Sequence, residues 1–140
     1  MRISARVENS YDEHHATLTT NGNAHSLTIP PRASGYGSSA SGGELLFLAL
    51  ATCFCNDLYR EAAKRGITVE RVEVEVDGQF GADGEPATHV TYRAKVVAQA
   101  SESEIQELIE QTDALAEVQN TLRVPIAVTL DYIEAIPVET

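Results

Sequence analysis

Polar and apolar residues alternate from His15 to Thr20 and again from His25 to Ile29, which places Ala16 and Leu18, then Leu27 and Ile29, on one face of two short strands. Between them lies Asn21-Gly22, the pair best able to hold the positive backbone angles of a type I′ turn, so the segment reads as a β-hairpin. Arg2 to Val7 is a further candidate strand, so the N-terminal part reads as a hairpin or a three-strand sheet. The period then vanishes. From Pro30 to Gly43 the chain is rich in Pro, Gly and Ser and reads as a long loop, either a connector across the end of a sheet or the wall or lid of a pocket.

Glu44 opens a run of strong helix formers that continues through Leu45, Leu46, Leu48, Ala49 and Leu50 to Glu61, Ala62, Ala63 and Lys64. Gly66 suits the C′ position, and Lys64 and Arg65 suit the negative end of the helix dipole. The first half of this helix is apolar all round, which predicts a long central helix buried on several sides. Val72, Val74 and Val76 then alternate with Glu73 and Glu75, and Val90, Tyr92, Ala94 and Val96 with Thr91, Arg93 and Lys95. These are two half-buried strands joined through Asp83-Gly84 and Pro86, with acidic and basic outer faces able to form a cross-strand ladder. Ser101 and Glu104 have the spacing of a capping box, and Ile105, Leu108, Ile109 and Leu115 form the apolar stripe of a second helix. Ile126, Val128 and Leu130 alternate with Ala127, Thr129 and Asp131, predicting a final strand. The order of elements is that of an α+β fold.

At 140 residues the chain is expected to form one domain, 1–140, with a core that needs neither disulfide nor metal. Twenty-one acidic against ten basic residues give a net charge of −11, with no Lys/Arg cluster, which argues against nucleic acid or an anionic membrane as partner. The longest apolar run, Leu45 to Cys55, is about half of the roughly 20 residues that span a bilayer. The first fifteen residues lack the apolar core of a signal peptide, and two cysteines without a disulfide framework suit a reducing cytoplasm, the expected location.

Chemistry centres on the two thiols. Residues two apart on a helix point about 200° apart, so Cys53 and Cys55 cannot readily bond to each other or grip one metal. Cys55 is read as a small buried hydrophobe. Cys53 shares its face with Asn56, Asp57 and Arg60, of which Arg60 favours a thiolate and Asp57 opposes one, so tertiary partners decide its state. His14, His15, His25 and His89 lack the spacing of a zinc motif, and no dinucleotide fingerprint, P-loop or serine-nucleophile element is present. No metal and no cofactor is expected.

The stretch Gly42-Gly43-Glu44-Leu45-Leu46-Phe47-Leu48-Ala49-Leu50-Ala51-Thr52-Cys53-Phe54 resembles the central-helix signature of the OsmC/Ohr family, in which an Asn-Pro-Glu-Glu/Gln-Leu start leads to Ala-Cys-Phe. The order of hairpin, long helix, two strands, helix and final strand matches as well. The resemblance implies an intertwined α+β homodimer that reduces organic hydroperoxides. In that family a reactive cysteine attacks the peroxide, a second cysteine resolves the sulfenic acid, and an Arg and a Glu hold the thiolate active. Cys53 matches the reactive position. The second-helix motif, Cys-Pro-Val-Ser, appears here as Ala116-Glu117-Val118-Gln119, so the resolving cysteine has become Ala116. The family's acid falls on Gly43, with Glu44 next to it, and Asn21, Gly22 and Asn23 offer no equivalent of its arginine. Arg32, in the long loop, is the substitute by chemistry, against the simpler reading of a solvated loop charge.

Two functions follow as expectations. One is thiol-dependent reduction of small apolar hydroperoxides, with Cys53 as nucleophile, Glu44 and Arg32 as polarising partners and an external thiol as reductant. The other is a non-peroxidase dimer that binds a small apolar or thiol ligand.

Overall fold

Asn21 and Gly22 adopt the positive φ values, 48° and 84°, that a type I′ turn requires. In the computed structural model, which describes residues 1–138, that turn joins β2 (Glu13–Thr20) to β3 (Asn23–Leu27) antiparallel. β1 (Ile3–Ser10) pairs antiparallel with the other edge of β2, giving the order β1-β2-β3 with Val7 opposite Ala16 and Ala16 opposite Leu27. The long loop is tied to the β1–β2 turn. Asn9 Oδ1 accepts from the Gly37 N–H at 3.0 Å while its Nδ2 donates to the Gly37 carbonyl at 3.1 Å. Asp12 and Gly35 exchange a second pair of bonds, and Tyr11 meets Tyr36 edge to face at 5.4 Å. Gly35 and Gly37, with φ of 95° and 96°, take backbone angles there that a side chain would strain.

The described chain forms two compact units interleaved in sequence, Met1–Leu48 with Asp77–Val90, and Ala49–Val76 with the chain from Thr91 onward. Helix α1 (Gly42–Lys64) and strands β4 (Val69–Gln79) and β5 (Thr88–Ala98) contribute residues to both. α1 begins with a reciprocal cap: the Glu44 N–H donates to Ser41 Oγ at 3.1 Å and the Ser41 N–H to Glu44 Oε1 at 2.8 Å. It ends at Gly66, φ 67°, where the Ile67 N–H reaches the Ala62 carbonyl and the Gly66 N–H that of Ala63, the paired bonds of a Schellman motif. In the first unit, Phe47 stacks on Phe80 at 5.7 Å.

The second unit holds the core. Phe54, Leu58 and Ala62 of α1 pack with Leu108 of α2 (Glu102–Leu115), and Val72, Val74, Tyr92, Ala94 and Val96 of the strand pair close over them. Ser101 caps α2 by accepting from the Glu104 N–H, as its spacing predicts. The cross-strand ladder forms too, with Arg93 on Glu75 at 3.1 Å and Lys95 near Glu73 at 4.0 Å. Past Leu115 the backbone turns extended at Ala116 and a short helix, α3 (Glu117–Leu122), follows. Gln119, its buried residue, donates to the Leu50 carbonyl at 2.9 Å.

Residues 124–138 form neither helix nor strand, so the strand predicted over 126–130 is not made within the single chain. Alternation supplies a strand with two faces, but a strand also needs a neighbour to bond, and here Val128 and Leu130 are 91% and 82% exposed. Burial along α1 likewise concentrates in its second half, from Leu50 to Ala62, while Leu48 is exposed. No helix among the described residues is long and apolar enough to cross a membrane.

Candidate functional site

Cys53 sits midway along α1, one residue before the fully buried Phe54, and its side chain is half-buried. One helical turn further, at i+4, Asp57 presents Oδ2 to Cys53 Sγ at 3.5 Å. Glu117, the first residue of α3, brings Oε2 to the same sulfur at 3.9 Å. The single thiol hydrogen has two acceptors in reach, Asp57 the nearer, and the three atoms lie within 4.8 Å of one another. Arg60, at i+7, holds the carboxylates from the other side, with Nη1 at 3.2 Å from Asp57 Oδ1 and 2.9 Å from Glu117 Oε1. Its Nε reaches Glu61 Oε2 at 2.9 Å. Arg60 therefore balances charge on the two acids from the side turned away from the sulfur.

The electrostatics follow from this geometry. Burial pushes the Cys53 thiol above its ordinary value, the Val118 N–H partly offsets this, and the charges of Asp57 and Glu117 push it up further. Burial also raises the Asp57 carboxyl, helped by the Glu117 carboxylate beside it. Glu117 is held down at about 2 by Asp57, by its own backbone N–H and by Arg60. At rest the site therefore favours a protonated sulfur, with two acids paired to Arg60 beside it.

The residues expected to support Cys53 have local partners of their own. Glu44 closes the cap at the start of α1, and the Ser41 backbone N–H, then its hydroxyl, hold its carboxyl below the usual range. Arg32 Nε bonds to the Ser38 carbonyl at 3.4 Å, across a β-bridge between Pro31 and Ser38. Cys53 itself hydrogen-bonds to Asp57 and Glu117. At Gly43, aligned with the family's acid, a Cβ would stand 2.8 Å from Phe80 Cε2, so the aromatic ring fills the space where an acidic side chain would start. Ala116, aligned with the resolving cysteine, is wholly buried.

Asp57 and Arg60 were legible from helical spacing, but Glu117 was not. It lies 64 residues from Cys53, and only the break at Ala116, which starts α3, turns its carboxylate onto the sulfur. Cys55 faces elsewhere, lining a cavity of about 270 Å³ with Ala51, Thr52, Asn56, Val72 and Val74. A larger groove, about 550 Å³, lies over the ladder of Glu73, Glu75, Arg93 and Lys95 and is lined by neither cysteine.

The family model described as OsmC-like protein matches residues 35–131. No curated protein matches the chain by sequence. Among solved structures the chain is similar to an OsmC like protein from Mycoplasma pneumoniae, at 22% identity over 87% of this chain and 86% of that one, with a TM-score of 0.59. It is similar to an organic hydroperoxide resistance protein OsmC from Legionella pneumophila, at 17% identity over 88% and 90% of the two chains, TM-score 0.59. An OsmC-like hydroperoxide resistance protein from Jannaschia sp. ccs1 aligns over 90% of both chains at 14% identity and a TM-score of 0.53. At these identities the likeness is one of fold.

Proposed function

The chain belongs to the OsmC-like protein family, and from that premise we propose that it reduces small organic hydroperoxides through Cys53, with an external thiol returning the oxidised cysteine to the thiol. The observation that carries this reading is the polar cluster around Sγ: a half-buried thiol on the central helix, bonded to two carboxylates that share one guanidinium. A cysteine serving only as packing would have apolar neighbours. The hydroperoxide resistance proteins among the similar structures support the substrate class. With Ala116 where a resolving thiol would stand, the sulfenic acid formed on Cys53 waits for a thiol from solution.

The test is consumption of cumene hydroperoxide in the presence of a dithiol. Cys53→Ser is expected to abolish it, while Cys55→Ser retains it. Full activity in the Cys53→Ser protein would end the proposal. Arg32 and Glu44 enter as polarising partners to be substituted in the same assay, and a loss of rate in Arg32→Ala or Glu44→Gln would place them at the reaction.

A second reading, a dimer that binds a small apolar or thiol ligand without turning it over, draws on the raised Cys53 thiol. It is favoured if Cys53 is oxidised no faster than free cysteine at the same pH. In both readings the working unit is a homodimer. That proposal is supported by the exposed apolar side chains Ile3 and Val7 on β1, Leu48 on α1, and Val124, Ile126, Val128 and Leu130 beyond α3.

A further inference from the structure

Asp57 and Glu117 divide their oxygens between two neighbours. Oδ1 and Oε1 face Arg60 Nη1 at 3.2 Å and 2.9 Å, which leaves Oδ2 and Oε2 turned to Cys53 Sγ at 3.5 Å and 3.9 Å. One guanidinium, itself anchored on Glu61, thus holds two acids so that their remaining oxygens converge on the sulfur. Negative charge is a poor neighbour for a thiolate, because it disfavours ionisation. The same oxygens are well placed to accept the proton that the thiol must lose, and to return it to an oxygen that turns negative beside the sulfur.

Resting on the hydroperoxide reading above, we propose that Asp57 and Glu117 act as the acid–base pair of the reaction, taking the proton of Cys53 and delivering it to the leaving alkoxide. In the step, the S–H proton passes to Asp57 Oδ2, the nearer oxygen, as sulfur attacks the terminal oxygen of the hydroperoxide ROOH. The S–O bond forms, the O–O bond breaks, and its electron pair leaves with RO⁻. That alkoxide takes the proton from Asp57 and departs as ROH, while the transferred oxygen keeps its own hydrogen and gives Cys53–SOH. Sulfur is oxidised by two electrons and the peroxide is reduced by two. Two equivalents of the external thiol then restore Cys53, releasing a disulfide and water.

The groups facing the pair fit this role. From α1 these are Arg60, which fixes the carboxylates, and Glu61, which fixes Arg60. From α3 comes Glu117 itself, whose Oε2 lies 3.9 Å from the sulfur. Asp57 is buried and held above the ordinary carboxyl range, chiefly by that burial, and is accordingly the stronger base of the two.

The discriminating measurement compares two electrophiles with Cys53. Iodoacetamide releases iodide, which needs no proton, whereas cumene hydroperoxide releases an alkoxide, which does. In Asp57→Asn, alkylation at pH 7 is expected to speed up as a negative charge leaves the thiol. Oxidation by cumene hydroperoxide is expected to slow by about 10²-fold, the ordinary contribution of a general acid–base group. Glu117→Gln, at an exposed position, should shift both rates in the same directions by less, and it keeps the test alive if the buried substitution prevents folding. Peracetic acid, whose leaving acetate needs no proton, should be reduced by the variants as fast as by the wild type or faster. If the variants gain rate with all three reagents, the pair acts only as unfavourable charge and the inference fails while the hydroperoxide reading stands. A wild-type Cys53 that cumene hydroperoxide oxidises no faster than free cysteine overturns both.

Discussion

Glu61 is a carboxylate with almost no exposed surface, and it is tolerated there because three cations reach it. Arg60, Lys64 and Arg65 lie at 2.9, 3.1 and 3.3 Å. The Arg60 bond, then those of Lys64 and Arg65, hold its carboxyl at about 2, against an ordinary 4.5. A carboxyl held below its unfolded value favours the fold while ionised. Its contribution is complete above about 4.5 and is lost as pH falls toward about 2. Thermal midpoints measured between these pH values should fall steeply in the wild type and less steeply in Glu61→Gln; equal slopes would remove Glu61 from the acid response. Asp57 works in the opposite sense, since a raised carboxyl favours the fold while protonated and weakens it as pH rises. At this scale the sequence was informative wherever partners share a helix face. Asp57 and Arg60 fall beside Cys53 by spacing alone, whereas the contact with Glu117 depends on where α3 docks.

Helix termini and turns follow local chemistry and were legible for that reason. The Asn21-Gly22 turn, the Gly66 terminus and the Ser101 cap all lie where short-range rules put them. Ser41-Gly42-Gly43-Glu44 has the same cap spacing, so the hydrogen bonds that engage Glu44 could also have been read from sequence. Invisible in the sequence was the packing of Phe80 against Gly43. A Cβ at Gly43 would approach Phe80 Cε2 to 2.8 Å, so Gly43→Ala must displace the ring, while Phe80→Ala makes room for it. The two substitutions should be non-additive in unfolding free energy by about 0.5–3 kcal/mol, the range for residues in contact. Additivity in a double-mutant cycle would separate them. The same coupling bears on restoring an acid: Gly43→Glu should be better tolerated in the Phe80→Ala background.

For the whole molecule, the mixed α+β architecture was legible because strands and helices announce themselves by period, and the OsmC/Ohr resemblance carried by Gly42–Phe54 agrees with the family match and the similar structures. The segment beyond α3 was legible as a strand and is not one here, since a period specifies which side chains share a face and not which backbone will bond them. In the homodimer proposal a second copy meets that need. Sedimentation equilibrium should then give twice the chain mass of 15.1 kDa. A chain truncated after Arg123 should be monomeric or lose its fold; a wild type that sediments as a monomer across the micromolar range would overturn the dimer. Each copy also brings a net charge of −11, so association should tighten as salt screens the mutual repulsion.

α3 has six residues and one buried side chain among them, Gln119, whose Nε2 donates to the Leu50 carbonyl. The bond from Gln119 to Leu50 is thus the buried polar fastening of this short helix. Were α3 released, Glu117 would leave with it and Cys53 would keep only Asp57. Loosening α3, as in Gln119→Ala, should therefore take the second acid from Cys53 and show as faster alkylation of the sulfur.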